Sequence, residues 1–188
     1  GMFHSATSFN QDLSQWDVSN VIEMAGMFGF ATSFNGNIDS WDVSNVFNMN
    51  AMFEAAQSFD RDLSEWDISN VTNMSNFFIG AGLSTPNYDA ILQAWSGIAL
   101  QNSVDIHTGN SMYCSSEAER QSIIDNFGWT IADGGLDPAC IAILECTNIT
   151  EPVPLQEGAS ISTNISWLEV VEATGYRISI GYEPGVYN

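Results

Sequence analysis

SFNQDLSQWDVSNVIEMAGMF, residues 8–28, returns as SFNGNIDSWDVSNVFNMNAMF at 33–53 and as SFDRDLSEWDISNVTNMSNFF at 58–78. The full units are residues 2–26, 27–51 and 52–76, a period of 25. Phe9, Phe34 and Phe59 align, as do Trp16, Trp41 and Trp66, then Val18, Val43 and Ile68, then Val21, Val46 and Val71, then Met24, Met49 and Met74. A fourth copy begins at Phe77-Phe78 and loses the pattern. Such self-similarity predicts a solenoid, in which one unit cannot bury its apolar face alone and stacks on its neighbours.

Within the unit, Phe9, Leu13 and Trp16 are spaced by polar residues, which predicts a short strand over residues 12–17 and its equivalents. The following VSNVIEMAGMF sets Val18, Val21, Met24 and Met27-Phe28 at near-helical spacing, with Ser19 or Asn20 available as an N-cap, and predicts a helical turn or two. Strands stacked at about 4.8 Å would place Trp above Trp and Phe above Phe. Phe9, Leu13, Trp16, Val18, Val21, Met24 and Phe28 are therefore the expected core.

The column Asp17, Asp42 and Asp67 has two readings, because like charges stacked at strand spacing repel unless something offsets them. Each carboxylate can accept hydrogen bonds from the Ser and Asn that follow it, as an Asx-type turn. Alternatively, adjacent carboxylates share Ca²⁺, a hard cation that takes oxygen ligands. The first needs no added component and explains why Asp, Ser and Asn recur together. Apart from this calcium option, no cofactor is expected.

The three quoted stretches resemble the BspA-type bacterial surface-protein repeat, which occurs in surface lipoproteins and secreted proteins of mycoplasmas, listeriae and Bacteroidetes. The resemblance spans residues 2–78. It implies a leucine-rich-repeat-like α/β repeat with short parallel strands and short helices, exposure at the cell surface, and adhesive or partner-binding roles. That family brings no catalytic residues.

Beyond the repeats, residues 80–145 read as degenerate repeats closing into a C-terminal cap. Thr85-Pro86 starts a helix whose apolar face is Tyr88, Ile91, Leu92 and Trp95. Residues 103–107 alternate as a strand, Ser116-x-x-Glu119 is a capping box, and Ile123, Ile124 and Phe127 continue a helix to Gly128. Residues 129–132 form a last strand. The segment NSMYCSSEAERQSIIDNFGWTIADGG resembles the closing segment behind such repeats in flavobacterial surface proteins. Residues 146–188 change character: ISTNISWLEV and GYRISIGY alternate with period two and resemble the opening of a fibronectin type III module, with Trp167 on its second strand and Tyr176 on its third. A sandwich of that kind needs about seven strands, so a partial β-sandwich, less stable than the rest, is expected.

Composition narrows the partners. Of 188 residues, 23 are Asp or Glu against three Arg and no Lys, for a formal charge of −20. Such a surface lacks the basic patch that nucleic acid or an anionic membrane requires, and acidity of this kind keeps an extracellular protein soluble. The apolar fraction of 45% is ordinary for a folded chain. No transmembrane run is present, and the chain enters at the Met-Phe of a repeat, so an upstream part of the parent protein is expected. Cys114, Cys140 and Cys146 form no CxxC pair and have no His at zinc-ligand spacing. In an oxidising compartment they give one disulfide and one leftover thiol, with Cys114–Cys140 the preferred pair because they bracket one compact segment.

Catalytic chemistry finds no footing. His4 and His107 lie far apart without a nucleophile elbow, Cys114 with His107 competes with the disulfide, no carboxylate pair is singled out, and Gly134-Gly135 lacks the residues of a phosphate loop. A non-enzyme is expected: an extracellular or cell-surface protein-binding or adhesion module whose partner is a host or neighbouring-cell surface protein or the extracellular matrix. Gln11, Gln15, Asn35, Asn37, Arg61 and Glu65, which vary between units, are its candidate partner surface. The competing expectations are an accessory carbohydrate-binding part of a larger secreted enzyme, favoured if the Trp column faces solvent, and a spacer.

Overall fold

The structure is a computed structural model and describes residues 1–140; the expected partial sandwich over 146–188 and Cys146 lie outside the described residues. Apolar residues three apart dominate each unit because the chain advances as a series of tight turns. The N–H of Trp16 bonds the carbonyl of Leu13, Val21 bonds Val18, Met27 bonds Met24, Ala31 bonds Phe28 and Phe34 bonds Ala31, at 2.8–3.1 Å. The same turns recur at Ile38–Trp41, Val43–Val46, Met49–Met52, Phe53–Ala56 and Ala56–Phe59. Each turn closes between two apolar residues, which directs both inward. Leu13, Val18, Met24 and Phe28 are buried, and every counterpart in the second and third units is buried too.

Successive units lie in parallel register. Met24 and Gly26 donate their backbone N–H to the carbonyls of Asn48 and Asn50, and Met49 and Ala51 donate to Asn73 and Ser75, all at 2.8 Å. Parallel bridges join Glu23 to Asn48 and Asn48 to Asn73. The rings stack from unit to unit: Phe9 on Phe34 at 5.8 Å, Phe34 on Phe59 at 6.0 Å and Phe59 on Phe78 at 6.1 Å. Phe28, Phe53 and Phe78 form a second row at 5.7 and 5.5 Å.

Two expectations about the unit are corrected. Residues 12–17, expected as a strand, are turns, and the ladder runs instead through residues 22–30 and their equivalents, within the piece expected as helix. A backbone reason is visible there. Gly26, Ala51 and Asn76 adopt φ of 60°, 53° and 59°, and Phe30, Ala55 and Gly80 adopt 60°, 56° and 69°. Left-handed residues at these two columns break any helix and bend the ladder around the core.

From Leu83 onward the elements lengthen. The α1 helix, Thr85–Trp95, has Pro86 in its first turn and buries Tyr88, Ile91, Leu92 and Trp95, the expected face. Then follow β1 (Asp105–His107), β2 (Met112–Tyr113), α2 (Glu117–Phe127), β3 (Thr130–Ala132), β4 (Gly135–Leu136) and a short 3₁₀ turn, Pro138–Cys140. Gly128 ends α2 at φ 66°, the left-handed C-cap expected of it. Met74 bridges to Ile106 and β1 pairs in parallel with β3, so the ladder of the repeats continues through two further rungs. β2 pairs in parallel with β4 beside it.

Candidate functional site

The repeated polar residues face one another across the units. Asp17 accepts from the Ser19 N–H at 3.1 Å and the Ser19 hydroxyl at 2.6 Å, and Asp42 does the same with Ser44. Asp67 accepts the Ser69 N–H at 2.9 Å. The Ser hydroxyls, then the backbone N–H groups, hold Asp17 and Asp42 below the usual carboxylate range. The Asn that follows bonds the preceding unit: Asn45 donates to the Ser19 carbonyl and Asn70 to the Ser44 carbonyl, each at 2.8 Å. Gln101 takes the same part toward Ser69 at 2.8 Å, although nothing in its local sequence repeats the motif.

A second polar column runs through Asn10, Asn35 and Asp60. Asn10 accepts the Asn35 N–H at 2.8 Å and Asn35 accepts the Asp60 N–H at 3.0 Å. Asp60 then accepts from the Ser84 N–H and the Asn87 amide, at 2.8 and 2.7 Å, and so anchors the start of α1. Partial burial pushes its carboxyl up, but these hydrogen bonds outweigh that and leave it below the ordinary value.

The tryptophan column faces inward where units lie on both sides. Trp41 and Trp66 are 3% and 1% exposed, and their indole N–H groups donate to the Leu13 and Ile38 carbonyls at 2.9 and 3.2 Å. Trp16, in the first unit, is 40% exposed. No solvent-facing Trp row therefore exists among the described residues.

The six candidate partner residues divide into two sets. Gln11, Gln15 and Glu65 are exposed. Asn35, Asn37 and Arg61 are half-buried and engaged internally: Asn37 accepts the Asp39 N–H at 3.2 Å, and Arg61 donates twice to the Asn35 carbonyl, at 3.0 and 2.9 Å. Arg61 also lies 4.0 Å from Asp39, whose carboxyl is pushed up by burial more than the arginine pulls it down. Beside these, Ile22 and Phe47 are 58% and 40% exposed at equivalent positions of the first two units, where the third has Thr72.

The densest polar chemistry lies in residues 88–140, and sequence reading missed most of it. Asp89, 8% exposed, accepts the N–H groups of Cys114, Ser115 and Ser116 at 3.1 Å and the Ser116 hydroxyl. Burial pushes its carboxyl up, and the four donors, led by the Ser116 hydroxyl, bring it below the ordinary value. The expected capping box is thereby overturned: Ser116 turns to Asp89 instead of its own helix, and a buried Glu119 oxygen has no partner among the described residues. Arg120 clamps Asp133 with its Nε at 2.7 Å and also bonds the Ile131 carbonyl at 3.0 Å. Tyr88 donates its hydroxyl to Asp133 at 2.8 Å; burial, then that carboxylate, push the phenol far up. For Arg120 burial acts to lower the pKa, but the Asp133 hydrogen bond and charge raise it. The signal for Asp60 was present in the 25-residue register, since it occupies the Asn10 and Asn35 position; for Asp89 and the Arg120–Asp133 pair none was.

Cys114 and Cys140 are joined as a disulfide with Cα atoms 5.4 Å apart. With Asp137 they are the group of metal-capable side chains that converges among the described residues. Their sulfurs are bonded to each other, and the Asp137 oxygens accept from Thr85 at 3.0 Å and the Ala139 N–H at 2.9 Å. That set does not suit a cation, and Asp17, Asp42 and Asp67 form no such convergent group. His4 is exposed beside Ser5, and His107 Nδ1 accepts the Gly109 N–H at 3.1 Å, so neither histidine meets Cys114 as a dyad. Among the described residues no helix is long and apolar enough to cross a membrane.

Comparison with known proteins places the first half of the chain. Residues 1–95 match the family described as "Mycoplasma protein of unknown function, DUF285". No curated protein and no solved structure matches. Covering just over half of the 188 residues, that match makes this chain a member of the DUF285 family.

Proposed function

We propose that this chain is a non-enzymatic module of a bacterial surface protein of the BspA-like kind: a leucine-rich-repeat-like solenoid, exposed outside the cell, that binds a host or neighbouring-cell surface protein or the extracellular matrix. The observation that carries this reading is the division of labour within the unit. Repeated residues are spent on the core and on unit-to-unit hydrogen bonds, whereas the exposed positions differ: Gln15, Ser40 and Glu65 in one column, Ile22, Phe47 and Thr72 in another. Variable groups on a repeated frame are how a stack acquires a specific partner. The Cys114–Cys140 disulfide supports an oxidising, extracellular setting. Glycan binding by a Trp row loses its main motivation, because Trp41 and Trp66 are buried.

The test replaces Gln11, Gln15 and Glu65 together by Ala and measures retention of the purified chain on host cells, neighbouring bacteria and immobilised matrix protein. The expected result is loss of retention with an unchanged melting temperature. Retention equal to that of the parent chain, or no retention of the parent on any of these surfaces, would overturn the proposal.

A further inference from the structure

Exposed apolar side chains scattered singly are ordinary, but two of them here share one column of the stack. Ile22 and Phe47 are 58% and 40% exposed, and the Phe47 N–H donates to the Ile22 carbonyl at 3.0 Å, so they are neighbours on adjacent rungs. Thr72 closes the column, its N–H and hydroxyl both bonding the Phe47 carbonyl, at 2.9 and 3.1 Å. Phe47 belongs to an interior unit with a repeat on either side, so its exposure comes from the position within the unit. One tight turn separates this column from the aspartates. The Val46 N–H bonds the Val43 carbonyl at 2.9 Å, which sets Asp42 before the turn and Phe47 after it; the turns at Val18–Val21 and Ile68–Val71 do the same for Asp17 with Ile22 and Asp67 with Thr72. Asn45 and Asn70 tie the turns to the preceding unit at 2.8 Å, so the surface is preformed.

The aspartates are exposed and in register. The Ser44 hydrogen bonds lower the Asp42 carboxyl, and against them the Asp17 charge pushes it up, so the two carboxylates feel each other. Neither arginine among the described residues answers them, because Arg61 is bonded to the Asn35 carbonyl and Arg120 to Asp133. We propose that Ile22, Phe47 and the Asp17, Asp42 and Asp67 column together dock a basic protein segment in which Lys or Arg side chains flank an apolar one. Charge complementarity selects this occupant: the apolar pair gives it area to bury, and the carboxylates across the turn meet its cations. Nucleic acid and anionic lipid are repelled, and so is a second copy of the chain, which brings the same 23 acidic against three basic residues. The inference rests on reading the chain as a binding module and names the chemistry of the partner.

The test titrates the full chain into a fluorescent peptide of about twelve residues, alternating Arg and Leu, and follows its anisotropy at low and at physiological salt. Saturable binding is expected, with none for a peptide carrying Glu in place of Arg. Ile22→Ser with Phe47→Ser, and separately Asp42→Asn with Asp67→Asn, should each weaken binding about tenfold at an unchanged melting temperature, the scale of residues that count in an interface. Glu117→Gln with Asp125→Asn, which removes the same charge from α2, should leave the affinity as it was. Equal weakening by the two charge-removing pairs would mean diffuse attraction and overturn the proposal, and so would unchanged affinity in the Ile22 and Phe47 variant. Retention of the chain on cells without peptide binding would overturn this inference alone; peptide binding without retention on any surface would support it and overturn the choice of host, neighbouring-cell or matrix partner.

Discussion

Residues 27–76 and residues 80–140 are held by different kinds of chemistry. In the repeats the same contact is made again and again: an indole to a carbonyl 28 residues back, an Asn amide to a Ser carbonyl 26 back, and a ring on a ring one unit away. In the closing region single groups, the buried Asp89, the partly buried Arg120–Asp133 pair and the Cys114–Cys140 disulfide, each tie separate segments of chain together without a copy elsewhere. The difference teaches that a stack spreads its stability over near-equal neighbour contacts, whereas its end must be sealed by groups that satisfy irregular backbone.

The largest test of this contrast is Phe53→Ala. Phe53 is fully buried at the centre of the aromatic rows, stacked on Phe28, Phe59 and Phe78, and its loss should cost about 3–5 kcal/mol in chemical denaturation. A cost below about 1 kcal/mol, the range of surface changes, would show that the rows do not carry the stack. Next comes reduction of Cys114–Cys140. The disulfide closes a loop of 26 residues, so reduction should remove roughly 3 kcal/mol and loosen residues 105–140 while amide protection in residues 24–55 persists. Loss of protection in both regions together would erase the distinction between them.

Smaller, at about 1–3 kcal/mol, is Asp89→Asn, which sets an amide donor where four donors already converge. It carries a pH signature. The Asp89 pKa is lowered in the folded chain, so its contribution is complete above the unfolded aspartate value near 3.9 and fades as the pH falls through the folded value. Between neutral pH and about 5 the deficit of Asp89→Asn should stay constant, and it should shrink below pH 4. A deficit independent of pH down to 2 would remove the charge from the explanation.

What the sequence could reveal follows the same division. Leu13, Val43, Met49, Phe59 and their partners were legible as core, because a residue repeated every 25 positions has one environment in every interior unit. Trp16 breaks the pattern through position in the stack: its counterparts have a unit on either side, and it does not. Secondary structure was misplaced for a local reason. Val18, Val21 and Met24 are spaced by three, as on a helix, but each pair closes its own turn, and the left-handed backbone at Gly26 and Phe30 is invisible in a spacing pattern. The start of α1 and the end of α2 were legible, since Pro86 and Gly128 mark them through their own backbone chemistry. Among the candidate site residues, Asn35, Asn37 and Arg61 read as free surface because their partners, Asp60, Asp39 and the Asn35 carbonyl, depend on how units and turns meet.

The account turns on unit-to-unit stacking in register, and native-state hydrogen exchange at single amides reads it directly. Met49 and Ala51 donate to the next unit, so their amides should be protected at least as strongly as that of Arg120 in α2, which bonds the Ser116 carbonyl at 2.9 Å. Exchange of Met49 and Ala51 at the rate of an unstructured peptide, with Arg120 protected, would contradict it.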